Sequence, residues 1–429
     1  MKTFVNPSLS SWPSLCERPL MDSSGLEVIV KEILQKVRNE GDKALFELTA
    51  KFEGAILPAL SVPYSVVAES EQMVPAAMKK ALETAKANIE KFHSAQLCDE
   101  EAIETFPGVR CWRKTVPLER VGLYIPGGNA PLFSTVMMLA IPAKIAGCKE
   151  IMICTPPGKG GEVNPLILYA AMISGVTKVF RVGGAQAVAA MAFGTGSIPK
   201  ADKIFGPGNQ YVTKAKELVQ SEGIPIDVPA GPSEVLVIAD DTADPSFVAA
   251  DLLAQAEHGV DSQVVLLSTS KELLTAVESE IRTQAELLPR KEIAVKALEN
   301  SLSVQFSTLE ECIDFSNMYA PEHLIITTSD PEILSDKITN AGSVFLGKYS
   351  CESAGDYATG TNHTLPTNGF ARSYSGVTTD SFMKKISFQE LSAEGIRKLG
   401  PVIELMAEAE LLTGHKNAVT LRLKSLKDV

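Results

Sequence analysis

Between Leu118 and Gln220 the chain repeats one beat, and that beat leaves few folds open. A short apolar run ends in a turn, and a helical pattern follows. The run from Val121 leads into Pro126-Gly127-Gly128, and Leu132–Ala146 then has helical spacing. Strands are expected at Glu150–Cys154, Lys178–Val182 and Lys203–Phe205, with helices at Pro165–Ser174, Gln186–Phe193 and Asn209–Gln220. Alternation at this spacing predicts parallel strands joined by crossover helices. Glycine-rich turns (Gly127-Gly128, Gly183-Gly184 and Gly206-Pro207-Gly208) fall where strands end, the edge at which such sheets bind ligands. Glycine there allows close backbone approach, and a helix N-terminus favours anions. None of these turns reads GxGxxG, and GxxxxGK[ST] is absent, so each taken alone indicates sheet architecture rather than a nucleotide fingerprint.

The same texture returns after Glu234. A strand over Glu234–Asp240, a helix over 245–258, a strand over Gln263–Ser268 and a long helix from Lys271 are expected. Strands at Ser303–Phe306 and Gly342–Leu346 and a helix over 309–318 complete the unit. Residues 1–25, with Pro7, Pro13 and Pro19, read as an irregular arm, and Gly25 to about Lys91 reads as helices. From about Ser387 the tail turns helical, and 414–422 reads as a polar turn and a short strand. The fold class is α/β: two Rossmann-like parallel-sheet domains, a helical N-terminal region and an extended C-terminal tail. The boundaries are 1–25 for the arm, 26–120 with 236–380 for a larger α/β domain, 121–235 for a smaller one, and 381–429 for the tail.

A chain of 429 residues is too long for one ordinary core. Lys plus Arg is 40 against 52 Asp plus Glu, a net charge of −12 without a basic block, which argues against nucleic acid. The seven cysteines are scattered without a CxxC pair, which points to a reducing compartment. No apolar run is long enough to span a bilayer, and the best helix candidate is interrupted by Pro142 and Lys144. The N-terminus lacks a basic start followed by an apolar core, so a cytoplasmic protein is expected.

Metal-type ligands cluster at Asp251–Gly259, which reads as the end of a helix stopped by Gly259. Gln255 and His258 are three residues apart and so share a helix face. Imidazole suits zinc, Gln is an unusual ligand, and a hydrogen-bonded surface pair is the plainer reading of this stretch alone. Of the five histidines, His258, His323, His363 and His415 lie in short polar signatures, whereas His93 sits on a lysine-rich helix and reads as solvated.

Taken together, the segments VGLYIPGG (121–128), RVGGAQAVAA (181–190), FGPGNQYV (205–212), DVPAGPSE (227–234), AQAEH (254–258), APEHL (320–324), GDYATGTNHTLPT (355–367) and ELLTGHKNAVTLR (410–422) resemble the L-histidinol dehydrogenase family, in order and over essentially the whole chain. The resemblance implies oxidation of L-histidinol to L-histidine through the aldehyde, with two NAD used in succession. It implies one zinc per active site, held by Gln255, His258, Asp356 and His415. It implies substrate contacts from those four and from Ser233, His323 and Glu410, and NAD contacts from Tyr124, Gln186 and Asn209. The larger domain would then be the metal and substrate side and the smaller one the NAD side. The family is a homodimer whose tails cross, so Glu410 and His415 would serve the partner's site.

These residue types suit the chemistry. A neutral imidazole can take a hydroxyl proton near working pH, the role expected of His323, and Glu322 beside it is the expected base for water in the aldehyde step. Without the resemblance, Glu322-His323 reads equally as a polar pair capping the strand Leu324–Thr327. His363 reads as structural. One alternative is a thiol-dependent aldehyde dehydrogenase using Cys111 or Cys351, but neither has a recognisable base beside it in sequence. Another is a non-catalytic two-lobed binding protein, which leaves the metal-type ligands without a purpose.

Overall fold

The computed structural model describes residues 1–18, 25–98, 100–127, 131–228 and 231–426. Gly128 of the first glycine turn lies outside these residues, as do Pro229 and Ala230 ahead of Ser233. Packing divides the chain into two units, Met1–Gln96 with Leu118–Phe382 and Leu97–Pro117 with Met383–Val429.

The first unit holds two parallel sheets. The smaller is built from β4 (Arg120–Tyr124), β5 (Glu150–Thr155), β6 (Lys178–Arg181) and β7 (Lys203–Phe205), in the order β6-β5-β4-β7. The larger contains β1 (Lys2–Val5), β8 (Glu234–Ala239), β9 (Gln263–Ser268), β10 (Leu302–Gln305), β11 (His323–Thr327) and β12 (Ser343–Leu346), in the order β1-β10-β9-β8-β11-β12. Their central strands are apolar because helices cover both faces. Val235 and Val237 pack on one side with Leu252 and Leu253, and Leu236 and Ile238 pack on the other with Phe315 and Tyr319. The mixed α/β class with Rossmann-like sheets is therefore the observed one. Among the described residues no helix is long and apolar enough to cross a membrane.

Several local expectations are corrected. The arm is not wholly irregular: Lys2–Val5 pairs in parallel with β10 and extends the larger sheet. Its four residues are too short to show a period. His93 is fully buried, with Nδ1 3.3 Å from Gln96 Oε1 and its carbonyl accepting from Thr379 Oγ1 at 2.8 Å. It lies on the buried side of the helix Ala76–Ser94 with Leu82, Ala85 and Ile89. The helix Phe133–Ala146 runs through Pro142 without stopping. Proline cannot donate to the carbonyl four residues back, that of Met138. Asn362 Nδ2 donates to it instead, at 2.6 Å.

In the second unit the tail does not begin as a helix. β13 (Met383–Leu391) pairs antiparallel along β3 (Val109–Pro117), which also pairs with β2 (Ile103–Phe106). Trp112 stacks on Phe388 across the ladder, with ring centroids 5.4 Å apart. Residues 414–422 are helical rather than a turn and a strand, within the helix Thr413–Ser425 that packs on the helix Ala393–Ala409.

The turn after β7 is set by a buried ion pair. Lys216 and Asp227 contact each other with both side chains almost wholly buried. Lys216 Nζ donates to the Gly206 carbonyl at 2.9 Å, and Asp227 Oδ2 accepts from the Gly206 N–H at 2.7 Å. Gly206 has φ 118°, and a Cβ there would lie 2.1 Å from the Tyr124 carbonyl oxygen. Removing one partner leaves a buried charge unanswered, at a cost of about 3–5 kcal/mol. Lys216→Met is therefore expected to lower the thermal unfolding midpoint strongly. Lys216→Met with Asp227→Leu should recover most of that loss, as read by calorimetry.

Candidate active site

The candidate catalytic pair sits at the N-terminal edge of the larger sheet. Glu322 immediately precedes β11, His323 opens it, and Glu234 opens the neighbouring β8. One peptide neighbourhood holds both side chains. The Glu234 N–H donates to Glu322 Oε2 at 2.8 Å, and the Glu234 carbonyl lies 3.2 Å from His323 Nδ1. A carbonyl can only accept, so Nδ1 carries the proton and Nε2 is the ring nitrogen left for chemistry. Glu234 is itself locked. Arg18 Nε and Nη2 each donate to its carboxylate at 2.9 Å, and the Asn368 N–H donates to it at 2.9 Å. The Arg18 guanidinium lies 3.5 Å from the Tyr319 ring centroid.

Two further segments converge here. The helix Pro245–Ala256 runs back along the larger sheet and ends beside the pair, not at Gly259 as the sequence suggested. His258 therefore lies past the helix, in a turn where its N–H donates to the Gln255 carbonyl at 3.2 Å. Gln255 is fully buried, and its Nε2 is 3.4 Å from Glu322 Oε2. The helix Glu352–Tyr357 supplies Glu352 and Asp356. Asp356 Oδ1 is 3.7 Å from His323 Nε2, and Glu322 Oε2 is 3.7 Å from His323 Nδ1.

His258, Glu352 and Asp356 form a group that can hold a metal ion, with ligand atoms all within 4.8 Å of one another. Gln255 Oε1, Glu352 Oε2 and His323 Nε2 are buried without a hydrogen-bond partner among the described residues. Buried polar atoms without partners are rare, and here they point to a group that binds between them. The electrostatics agree. Burial pushes the carboxyls of Glu322 and Glu352 up to about 8 and that of Asp251 up to about 7. Burial opposes a charged His323, but Glu352, Glu322 and Asp356 outweigh it and hold the ring pKa above its ordinary value. Burial would raise Asp356 too, yet the contact with His323 holds it below the usual carboxylate range. A divalent cation answers such an excess of buried acid and, by its charge, favours a neutral imidazole.

His363 has both ring nitrogens engaged. Nδ1 lies 3.0 Å from the Asp356 carbonyl and Nε2 3.2 Å from Thr135 Oγ1. Burial holds its pKa below the ordinary histidine value. It fixes the backbone of Asp356 and ties it to the helix Phe133–Ala146. Ser233 stands next to Glu234 at the head of β8, half-buried, its carbonyl accepting from Gln263 N at 3.2 Å. Glu410 and His415 belong to the second unit, where both are exposed. Cys351 is exposed directly ahead of Glu352, and Cys111 lies on β3 of the second unit.

The expected dinucleotide residues lie at the C-terminal edge of the smaller sheet. Tyr124 is buried, and its hydroxyl accepts from the Gly184 N–H at 3.2 Å. Gln186 is buried two residues further on, and its Nε2 lacks a partner among the described residues, which fits a bound group with acceptors. Asn209 caps the helix Gln210–Ser221, with Oδ1 accepting from the N–H groups of Tyr211 and Val212 at 3.1 and 3.2 Å. Its oxygen is thus committed to the fold.

Glu352 and Arg18 escaped the sequence reading. Glu352 could have been found: it lies four residues before Asp356, the spacing that puts two side chains on one helix face. Arg18 gave no signal, because its partner is 216 residues away.

A family model described as histidinol dehydrogenase matches residues 16–423. A histidinol dehydrogenase of Bacteroides thetaiotaomicron is 55% identical over 427 residues, covering 100% of both chains. One of Vibrio parahaemolyticus is 50% identical and covers 99% of both. A crystal structure of histidinol dehydrogenase from Elizabethkingia anophelis matches with a TM-score of 0.97 at 55% identity, covering 100% of this chain and 99% of that one.

Glu352→Gln keeps the shape and removes the negative charge. It is expected to weaken divalent metal binding by about 10- to 100-fold, measured by competition with a chromogenic chelator. Unchanged affinity would remove Glu352 from the metal group.

Proposed function

We propose, because this chain belongs to the histidinol dehydrogenase family, that it oxidises L-histidinol to L-histidine by way of L-histidinaldehyde. The balanced change is one alcohol, two NAD⁺ and one water giving one carboxylate, two NADH and three protons. The observation that carries the site assignment is the convergence of Gln255 Oε1, Glu352 Oε2 and His323 Nε2, all buried and unpartnered, around the Glu322-His323 pair.

Zinc, when bound, supplies a template for the amine and imidazole of the substrate and a positive charge in the acidic cluster. Gln255, His258 and Asp356 are the ligands assigned within the first unit, with Glu352 against them. NAD, when bound, accepts hydride, and Tyr124, Gln186 and Asn209 would hold it. In the alcohol step His323 Nε2 takes the hydroxyl proton, its ring kept in register by the Glu234 carbonyl. In the aldehyde step Glu322 takes a proton from water. Its environment suits that duty, since burial raises its basicity while the Glu234 N–H fixes its orientation. Ser233 and Glu410 complete the proposed substrate contacts.

We further propose a homodimer in which Glu410 and His415 serve the partner's site. Support comes from apolar side chains along the tail: Leu405, Met406, Leu411 and Leu421 are each more than half exposed. A patch of this kind on the described chain suits a subunit interface. We place the enzyme in the cytoplasm, where the free cysteines would stay reduced.

With limiting L-histidinol, stopped-flow absorbance should record two NADH per substrate. Glu322→Gln should form the first near the normal rate and the second about 10²- to 10⁴-fold more slowly, the usual cost of losing a general base. Equal slowing of both phases would make Glu322 a positioning group for His323 instead. For the dimer, inactive His258→Ala and His415→Ala proteins, mixed and refolded together, should regain part of the activity. Mixed dimers that form without regaining activity would assign His415 to its own subunit.

A further inference from the structure

The C-terminal edge of the smaller sheet carries a carboxylate that the chemistry above does not use. Glu53 closes the helix Asp42–Phe52, outside the sheet in sequence, yet its side chain reaches the strand ends. A Cβ built on Gly183, in the turn after β6, would lie 2.6 Å from Glu53 Oε1 and 2.5 Å from Pro156 Cβ. Pro156 directly follows β5. The charge of Glu53 also reaches the Tyr124 phenol at the end of β4. Three strand ends therefore surround this one acid.

Its other oxygen, Oε2, is buried without a hydrogen-bond partner among the described residues. Burial pushes the carboxyl up to about 7, countered only by its own backbone N–H. A half-buried carboxylate with one oxygen shielded from water and lacking a donor is costly, and proteins keep one where a ligand supplies the donor. The strand order narrows the ligand. In β6-β5-β4-β7, β4 is the first strand and β5 the second. In dinucleotide-binding sheets an acid near the end of the second strand accepts from the adenosine ribose hydroxyls. β5 supplies no such acid of its own, since Thr155 is followed by Pro156 and Pro157. The next acid in sequence, Glu162, is exposed and turned onto its own loop, where its carboxylate crowds Gly158 and Gly160.

Resting on the NAD reading above, we infer that Glu53 is the ribose-recognising carboxylate of this edge, accepting from the adenosine ribose diol and rejecting a 2′-phosphate. It is a specificity determinant supplied from the N-terminal helical region in place of the acid that the second strand lacks. A diol brings two O–H donors to a group whose Oε2 has none, whereas a 2′-phosphate brings like charge to a half-buried carboxylate.

The test is direct binding of NAD and NADP, by isothermal titration calorimetry, to the full-length zinc-loaded protein and its variants. The wild type should favour NAD by at least about 100-fold, since the site both loses a charge-assisted hydrogen bond and gains a repulsion with NADP. Glu53→Ala should weaken NAD by about 10- to 100-fold and narrow the NAD/NADP ratio by at least about 10-fold. Glu53→Gln keeps the shape and folding contacts. It should hold NAD within about 10-fold of the wild type while losing discrimination. Glu162→Ala, the control, should match the wild type. Glu53 variants with the wild-type NAD affinity and ratio would overturn the inference and leave the NAD reading standing. So would a parallel fall for both dinucleotides with the ratio unchanged, which would make Glu53 a support of that edge. A wild type that binds neither dinucleotide overturns the NAD reading and this inference together.

Discussion

The Glu234 peptide is the constraint on which the catalytic edge depends. Its N–H holds the carboxylate of Glu322 and its carbonyl holds the imidazole of His323, so two proton-transfer groups take their geometry from one residue. That residue is fixed by a bidentate contact from Arg18 and a main-chain donor from Asn368. A charge pair at this depth recovers its desolvation cost only when both partners are fully hydrogen-bonded. Here Arg18 also donates to the Tyr319 carbonyl and lies over its ring, so the condition is largely met. The N-terminal segment, first read as peripheral, thus ends in the anchor of the site.

Around that anchor the fold gathers acid beyond what its own cations neutralise. Asp251, Glu322, Glu352 and Asp356 act on one another through a buried region in which His323 is the nearest positive group. Such a cluster is unfavourable as a purely structural device. It becomes reasonable if the native state is completed by a cation, because the same charges that repel one another then supply affinity. The sheet edges divide the remaining labour. The larger sheet offers the N-terminal ends of β8 and β11 to the acidic cluster, and the smaller offers the C-terminal ends of β4 to β7 to the glycine turns.

Much of this was legible in the sequence, for identifiable reasons. The parallel sheets were, because their strands are unbroken apolar runs and the intervening helices have their own period. Glu322, His323 and Gln255 stand out as polar residues in short signatures, whereas Asp356 came only from the family resemblance. Features that depend on distant pairing were not legible. β13 and β3 make a ladder from segments far apart, and neither carries a strong alternation of its own. His93 read as solvated because lysines surround it in sequence, while helix geometry turns its ring inward against Thr379. Arg18 and Glu53 were invisible for the same reason: nothing local says that a charged side chain near an element end will be buried elsewhere.

The proline within the helix Phe133–Ala146 has a consequence of another kind. Pro142 leaves the Met138 carbonyl without its intrahelical donor, and Asn362 fills the gap. The next residue, His363, bonds Thr135 of the same helix and the backbone of Asp356. The helix that follows the Tyr124 turn is therefore stapled at two points to the loop beside the metal group. A change in one half of the unit is felt in the other through rigid main chain rather than through flexible side chains. Evolution then faces a coupled choice. An ordinary residue at 142 would return the missing N–H, and the Met138 carbonyl, which has two lone pairs, would then be shared between that donor and Asn362. The two positions form one joint: losing Asn362 while Pro142 stays would leave that carbonyl with neither donor.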